Sequence, residues 1–198
     1  MASTSLTAMA DQMTKPAPGV TRIVFNTPGE LTIRPGADEK VVVEAESKVL
    51  AQLDVGVKGD TLTLGSKGSF KTDKGLKYTV TIKGFRGLRT GASGNASIEG
   101  FAGNDADIEL GGSGDVGLKN MKAGRLAIVI KNSGNVEASG AGKSVVARID
   151  GSGSIDTSAY QAQVVEANVD GSGTIKVYAD ESLKAGIGGA GNIEYKGK

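Results

Sequence analysis

Six carboxylates in the second half of the chain are the first candidates for chemistry: Asp105, Asp107, Glu109, Asp150, Asp156 and Asp170. Two of them, Asp150 and Asp170, occupy the same place in near-identical heptads, IDGSGSI (149–155) and VDGSGTI (169–175). A glycoside hydrolase needs such a pair, one protonated and one ionised, within roughly 5–10 Å of each other, and neighbouring like charges would raise one pKa. The positions of both residues, however, belong to an outward and solvated face, and nothing in the sequence marks a cleft.

The glycines of the heptads raise other chemistry. A dinucleotide fingerprint needs G-x-G-x-x-G opening a helix, but Gly151-Ser152-Gly153 lacks the third glycine and runs into a strand pattern. No Walker loop exists, since Gly65-Ser66-Lys67-Gly68 is too short. Gly111-Gly112-Ser113-Gly114-Asp115 is closer to a calcium-binding nonapeptide. Its aspartate comes one residue early, and the equivalent positions read Asn95, Asn135, Ser154, Thr174 and Asn192, which is too little carboxylate for calcium. The remaining reading is structural: glycine at a sharp corner, supplying positive φ, beside short polar side chains that form a ladder bonding corner amides.

The chain has no histidine and no cysteine. Ser-His-Asp, Cys-His and HExxH chemistry are thereby excluded, as are disulfides and thiolate metal sites. Arg86, Arg89, Arg125 and Arg148 either mark an anionic-ligand face or belong to a solvated surface. Of the late tyrosines, Tyr160, Tyr178 and Tyr195, the last ends the final repeat and is expected to cap the core rather than act as a sugar platform. The sequon-like Asn95-Ala96-Ser97 carries little weight. These residues assign no catalytic, cofactor, metal or ligand-binding site.

Composition bounds what must position them. With 198 residues and 38% hydrophobic content the chain can bury a core, and 31 glycines with 4% aromatics call for a turn-dense fold. A net charge of +1 gives no pull towards nucleic acid or anionic membrane. No stretch approaches 18 consecutive apolar residues, so no transmembrane helix is expected. Residues 1–18 are small, polar and proline-punctuated, and read as a disordered lead-in. Ala8-Met9-Ala10 fits the cleavage pattern of a secretory signal without the regions that should precede it, leaving open a trimmed export stub or a flexible terminus.

From Val20 the pattern has period 2: TRIVFN, ELTIRP, KVVVEAE, QLDVGVKGD, TLTLGS and LKYTVTIKG, with one helical turn around residues 47–51 and a polar loop over 65–75. Residues 19–85 are therefore expected to form a β-meander. Residues 86–198 repeat. Aligned on Gly94, Gly114, Gly134, Gly153, Gly173 and Gly191, the spacings are 20, 20, 19, 20 and 18 residues. Positions eight, six and four before each glycine and two after it are mostly apolar; five before it is mostly polar or small. Strand, corner and strand in each unit, with copies stacked about 4.8 Å apart, imply an all-β parallel β-helix, a β-solenoid of about six rungs of roughly 20 residues. MKAGRLAIVIK (121–131) and AYQAQVVEA (159–167) have helical propensity, but their apolar spacing is nearer 2 than 3.6, so strand is preferred.

The run VDGSGTIKVYADESLKAGIGGAGNIEYKG with SVVARIDGSGSID upstream resembles the bacterial family labelled putative auto-transporter adhesin, head GIN domain. Its closing pattern of a glycine corner, an aromatic, Lys and Gly is matched by Gly191, Asn192, Ile193, Tyr195, Lys196 and Gly197, and its N-terminal pattern by VVVEAESKVLAQLDVGVKGDTLTL. The resemblance covers about residues 20–197. It implies a single exported envelope domain over 19–198, with a β-sandwich-like or meander start over 19–85 leading into a right-handed parallel β-helix over 86–198, in the periplasm, on the outer surface or secreted. It supplies no catalytic residues. The expectation is a non-enzymatic module without cofactor, binding a cell-surface polysaccharide or an envelope protein and not nucleic acid, with homo-oligomer formation through an open solenoid end. The alternatives are a carbohydrate-active β-helix enzyme using outward carboxylates, and a purely structural or assembly module.

Overall fold

The structure is a computed structural model and describes residues 11–72 and 75–197. Alternating apolar and polar residues form short strands in the first part of the chain: β1 (Asp11–Pro16), β2 (Arg22–Phe25), β3 (Glu30–Pro35), β4 (Lys40–Ala45), β5 (Leu53–Lys58), β6 (Thr61–Ser66) and β7 (Lys77–Ile82), with the single turn α1 (Ser47–Leu50) between β4 and β5. β8 (Gly87–Thr90), β9 (Asn95–Glu99) and β10 (Ala102–Leu110) lead into four long strands, β11 (Val116–Ile130), β12 (Asn135–Ile149), β13 (Ser154–Val169) and β14 (Thr174–Ile187), and the chain closes on β15 (Asn192–Gly197). The segments 121–131 and 159–167 are strand, as their spacing implies.

Two walls enclose the core. On the first, β6, β2, β8, β10 and the second portions of β11, β12, β13 and β14 stack in parallel; on the second, β7, β3, β9, the first portions of β11 to β14, and β15 do the same. Each long strand crosses from wall to wall through a kink. The register shifts there, and at the first kink Asn120 adopts φ 54°. This is the expected β-solenoid of about six rungs.

The N-terminal part is built into the solenoid as well as closing one end of it. β2 and β3 form a rung of their own, in register with β8 and β9: Ile23 opposes Leu88, and Ile33 opposes Ile98. Beneath them β6 and β7 add another level. The chain thus enters one level into the stack, runs to its end and returns. The end is closed by antiparallel strands curled as a half-barrel, β5 against β6 and β1 and β4 against β7, with Val49 of α1 buried among them. Residues 11–16 of the expected disordered lead-in are therefore β1. Its polar side chains are exposed and carry no strand pattern, so its place is set by backbone pairing to β4. Residues 1–10, with Ala8-Met9-Ala10, lie outside the described residues.

Stacking also explains the corner glycines, and differently from the expectation. None of Gly94, Gly114, Gly134, Gly153, Gly173 and Gly191 has positive φ. A Cβ on Gly114, Gly134, Gly153 or Gly173 would lie under 3.0 Å from the carbonyl oxygen of the corner glycine one rung below. Gly151, Gly171 and Gly189 form a second column under the same constraint. The residue is needed because backbone approaches backbone there. Gly29 is the corner of the rung formed by β2 and β3; its φ is +112°, and its Cβ would strike the Leu76 carbonyl.

Inside, Ile, Val and Leu fill the columns, and burial of each contributes roughly 1.5–3 kcal/mol. The first repeat departs from the alignment: Arg86 is exposed, and Phe85 takes the inward place against Phe101, 5.6 Å between ring centroids. Two tyrosines are fully buried. Tyr78 packs edge-on to Phe25 and accepts a hydrogen bond from Thr27 Oγ1 (2.9 Å). Tyr160 fills space left free by Gly142, where a Cβ would strike its hydroxyl. Its hydroxyl donates to the Ala123 carbonyl (2.9 Å) and accepts from the Ala123 N–H (3.2 Å), tying together levels two rungs apart.

Two outcomes follow for folding. Gly153→Ala puts a methyl onto the Gly134 carbonyl and is expected to cost about 1–3 kcal/mol in urea unfolding. Gly117→Ala, whose Cβ meets nothing within 4 Å, stays within about 0.5 kcal/mol. Burial raises the pKa of Tyr78 and Tyr160 above the ordinary 10.0, and their hydrogen bonds offset only part of this. The folded chain therefore favours the neutral phenols. Their contribution is complete below about pH 10 and is lost as pH rises through the raised folded values. Thermal melts should show no pH dependence from the tyrosines around neutral pH and decline above about pH 10, less steeply in Tyr160→Phe, which loses about 1–3 kcal/mol at neutral pH with its hydrogen bonds.

Candidate functional site

The outer face of the first wall carries most of the charge singled out in the sequence, and the stack neutralises it. Arg148 lies between the two heptad carboxylates: its Nε is 2.7 Å from Asp150 and its Nη2 2.6 Å from Asp170. An acid and base pair needs two carboxyls facing a substrate, whereas these two face one shared guanidinium. Arg125 pairs with Asp107 (3.2 Å) and Arg89 with Glu109 (3.2 Å), which also holds Lys131 (2.6 Å). All are half-exposed, so each pair contributes at most about 1 kcal/mol, but together they balance the charge of Arg89, Arg125, Lys131 and Arg148. Arg86 and Asp105 are exposed and make no ion pair among the described residues. A hollow of about 450 Å³ beside Ala127 and Val129 is rimmed by the ion-paired Arg22, Arg89 and Asp107.

The tyrosines divide three ways. Tyr160 is core. Tyr178 is half-buried and donates to Asp180 (3.1 Å). Tyr195, expected as a core cap, is 66% exposed. It opposes the fully buried Val177 one rung below, so its side chain is on the inward column, but no described residue stacks above it.

The second wall carries a different surface. Immediately after each corner, Asn95, Asp115, Asn135, Ser154, Thr174 and Asn192 form an outward row. Over three rungs it is the expected ladder: Asn95 Oδ1 accepts the Asp115 N–H (2.9 Å), and Asp115 Oδ1 accepts the Asn135 N–H (3.2 Å) and side-chain amide (2.9 Å). Asp115 is thus engaged as a backbone acceptor, which accounts for the carboxylate that suggested calcium. The ladder does not run on. Ser154 and Thr174 are too short to reach, and the Thr174 and Asn192 N–H groups bond instead to the Gly153 and Gly173 carbonyls (3.3 and 3.0 Å).

Two residues further along each strand a second outward row reads Ser97, Gly117, Glu137, Asp156, Lys176 and Glu194. Gly117 leaves a notch in it, with open space above its Cα. The two rows frame a groove of about 760 Å³ running along the stack from Asn95 to Glu194. Apart from Lys176, paired with Glu194 (3.5 Å), its charges are acidic. Asp156 accepts from the N–H (2.9 Å) and hydroxyl (2.6 Å) of Ser158, which fixes its orientation. This groove was not singled out from the sequence. Its signal was available in the column three after each glycine, where only Gly117 lacks a side chain.

No curated protein matches the chain. Among solved structures it is similar to a putative adhesin from Bacteroides fragilis, 21% identical with a TM-score of 0.86, covering 96% of this chain and 98% of that one. A putative lipid binding protein from Parabacteroides distasonis is 20% identical, TM-score 0.69, over 96% and 98%. A putative adhesin from Parabacteroides merdae is 17% identical, TM-score 0.71, over 97% and 90%. At these identities the likeness shows the fold alone. Residues 20–198 match the family described as putative auto-transporter adhesin, head GIN domain, and the chain belongs to that family.

Proposed function

We propose that this protein is a non-enzymatic recognition module, exported to the bacterial envelope or secreted, that binds a neutral, hydroxyl-rich polysaccharide along the groove of the second wall. The observation that carries the reading is the groove itself: amide, hydroxyl and carboxylate groups repeated at the rung spacing of about 4.8 Å beside an open notch at Gly117. Such a surface offers donors and acceptors to a periodic chain. Its acidic balance disfavours anionic polymers. The family to which the chain belongs and the structures titled putative adhesins support surface recognition in general. The enzymatic alternative is disfavoured by Arg148, which occupies both heptad carboxylates.

A glycan-array and bacterial-envelope binding screen with the full chain tests this. Saturable binding to a neutral glycan is expected, weakened at least about tenfold, or ~1.4 kcal/mol, in Gly117→Trp, which fills the notch without touching the core. Arg148→Ala, on the other wall, should bind like the parent. Equal binding by Gly117→Trp, or no binding to any envelope material, would contradict the proposal.

A further inference from the structure

The two ends of the solenoid are treated differently. At the β1 and β5 end, antiparallel strands and Val49 close the core. At the other end the last rung, made by the second portion of β14 and by β15, is open. Ile187 is 53% and Tyr195 66% exposed, although the residues they oppose one rung below, Val169 and Val177, are fully buried. Leu183 and Ile193 are only partly covered. An open parallel edge with apolar side chains beside it is a surface that soluble proteins normally cover.

We infer that the cover is a second copy of this chain, joined by antiparallel pairing of the two β15 strands about a two-fold axis. The opposite end carries antiparallel strands curled over the core and no open parallel rung, so a contact that matches open rung to open rung is isologous. The charges select a register. The Asn192 N–H bonds back to Gly173, so Ile193, Tyr195 and Gly197 turn their N–H and C=O groups to the free edge. Antiparallel pairing must set these residues against one another. Placing Tyr195 opposite Tyr195 of the partner subunit brings Glu194 opposite Lys196 of the partner subunit, and Lys196 opposite Glu194 of the partner subunit. The neighbouring two-fold registers, centred on Glu194 or Lys196, would set like charges face to face, which destabilises a sheet. The edge is therefore self-complementary in hydrogen bonds, in charge and in its inward aromatic.

Sedimentation velocity of the full chain over a concentration series tests this, with far-UV circular dichroism confirming that each variant is folded. The parent should sediment at twice the chain mass. Glu194→Lys and Lys196→Glu should each weaken the dimer at least about tenfold, and the double exchange should restore it. Tyr195→Pro, which removes an N–H that faces the free edge and not β14, should leave a folded monomer. A parent that is monomeric at every concentration, one that forms filaments, or a double exchange that stays monomeric overturns the inference.

Discussion

At every corner of this molecule the carbonyl oxygen of one rung occupies the space that a Cβ of the next rung would need. The rungs can hydrogen-bond only if that Cβ is absent, and the rest of the structure depends on this. With glycine in place, parallel strands stay in register through successive levels, apolar residues at matching positions merge into continuous columns, and polar residues outside line up as rows. The rows are a by-product of the same repeat that builds the core. A surface with one polar group per rung therefore needs no structure beyond the repeat itself, which explains how the same residues that build the stack also present an ordered chemical pattern.

Stacking also relaxes the link between chain order and spatial order. A rung needs only a compatible neighbour above and below, so β2 and β3 can sit between β6 with β7 and β8 with β9 although most of the N-terminal segment separates them in sequence. The intervening chain builds the closed end. This loop back is what makes the two ends unlike: one is finished by antiparallel strands within the chain, and the other ends on a bare rung with Ile187 and Tyr195 uncovered. An asymmetric stack of this kind exposes apolar core residues at one end and covers them at the other.

Much of the architecture was legible in the amino-acid sequence because the solenoid repeat is a one-dimensional code. The spacing of Gly94 to Gly191 and the apolar columns give rung count, facing and strand assignment directly. What was not legible depended on contacts between segments far apart in the chain. Phe25 and Ile33 read as members of an ordinary meander, since nothing local reveals that they continue the columns of Thr90 and Ile98. β1 has exposed polar side chains and is ordered by backbone pairing, which composition does not encode. The corner glycines were identified correctly but for the wrong cause, because crowding by another rung and positive φ call for the same residue. The groove was hidden because its key feature, Gly117, is a missing side chain.

The charged residues show the same limit. Asp150, Asp170 and Arg148 each suggested a site when taken alone, and the stack places them against one another instead. The proposed recognition surface is therefore the polar rows of the second wall, where most carboxylates have no cation beside them. Everything above rests on the order of the rungs, with β2 between β6 and β8. The chain has no cysteine, so pairs of introduced cysteines report that order without interference. Val24 opposes both Thr63 and Arg89 in the outward column. Under mild oxidation, cysteines at 24 and 63 and at 24 and 89 should form disulfides, while 63 and 89, two rungs or roughly 9.6 Å apart, should not. A disulfide between 63 and 89 with none to 24 would contradict the account.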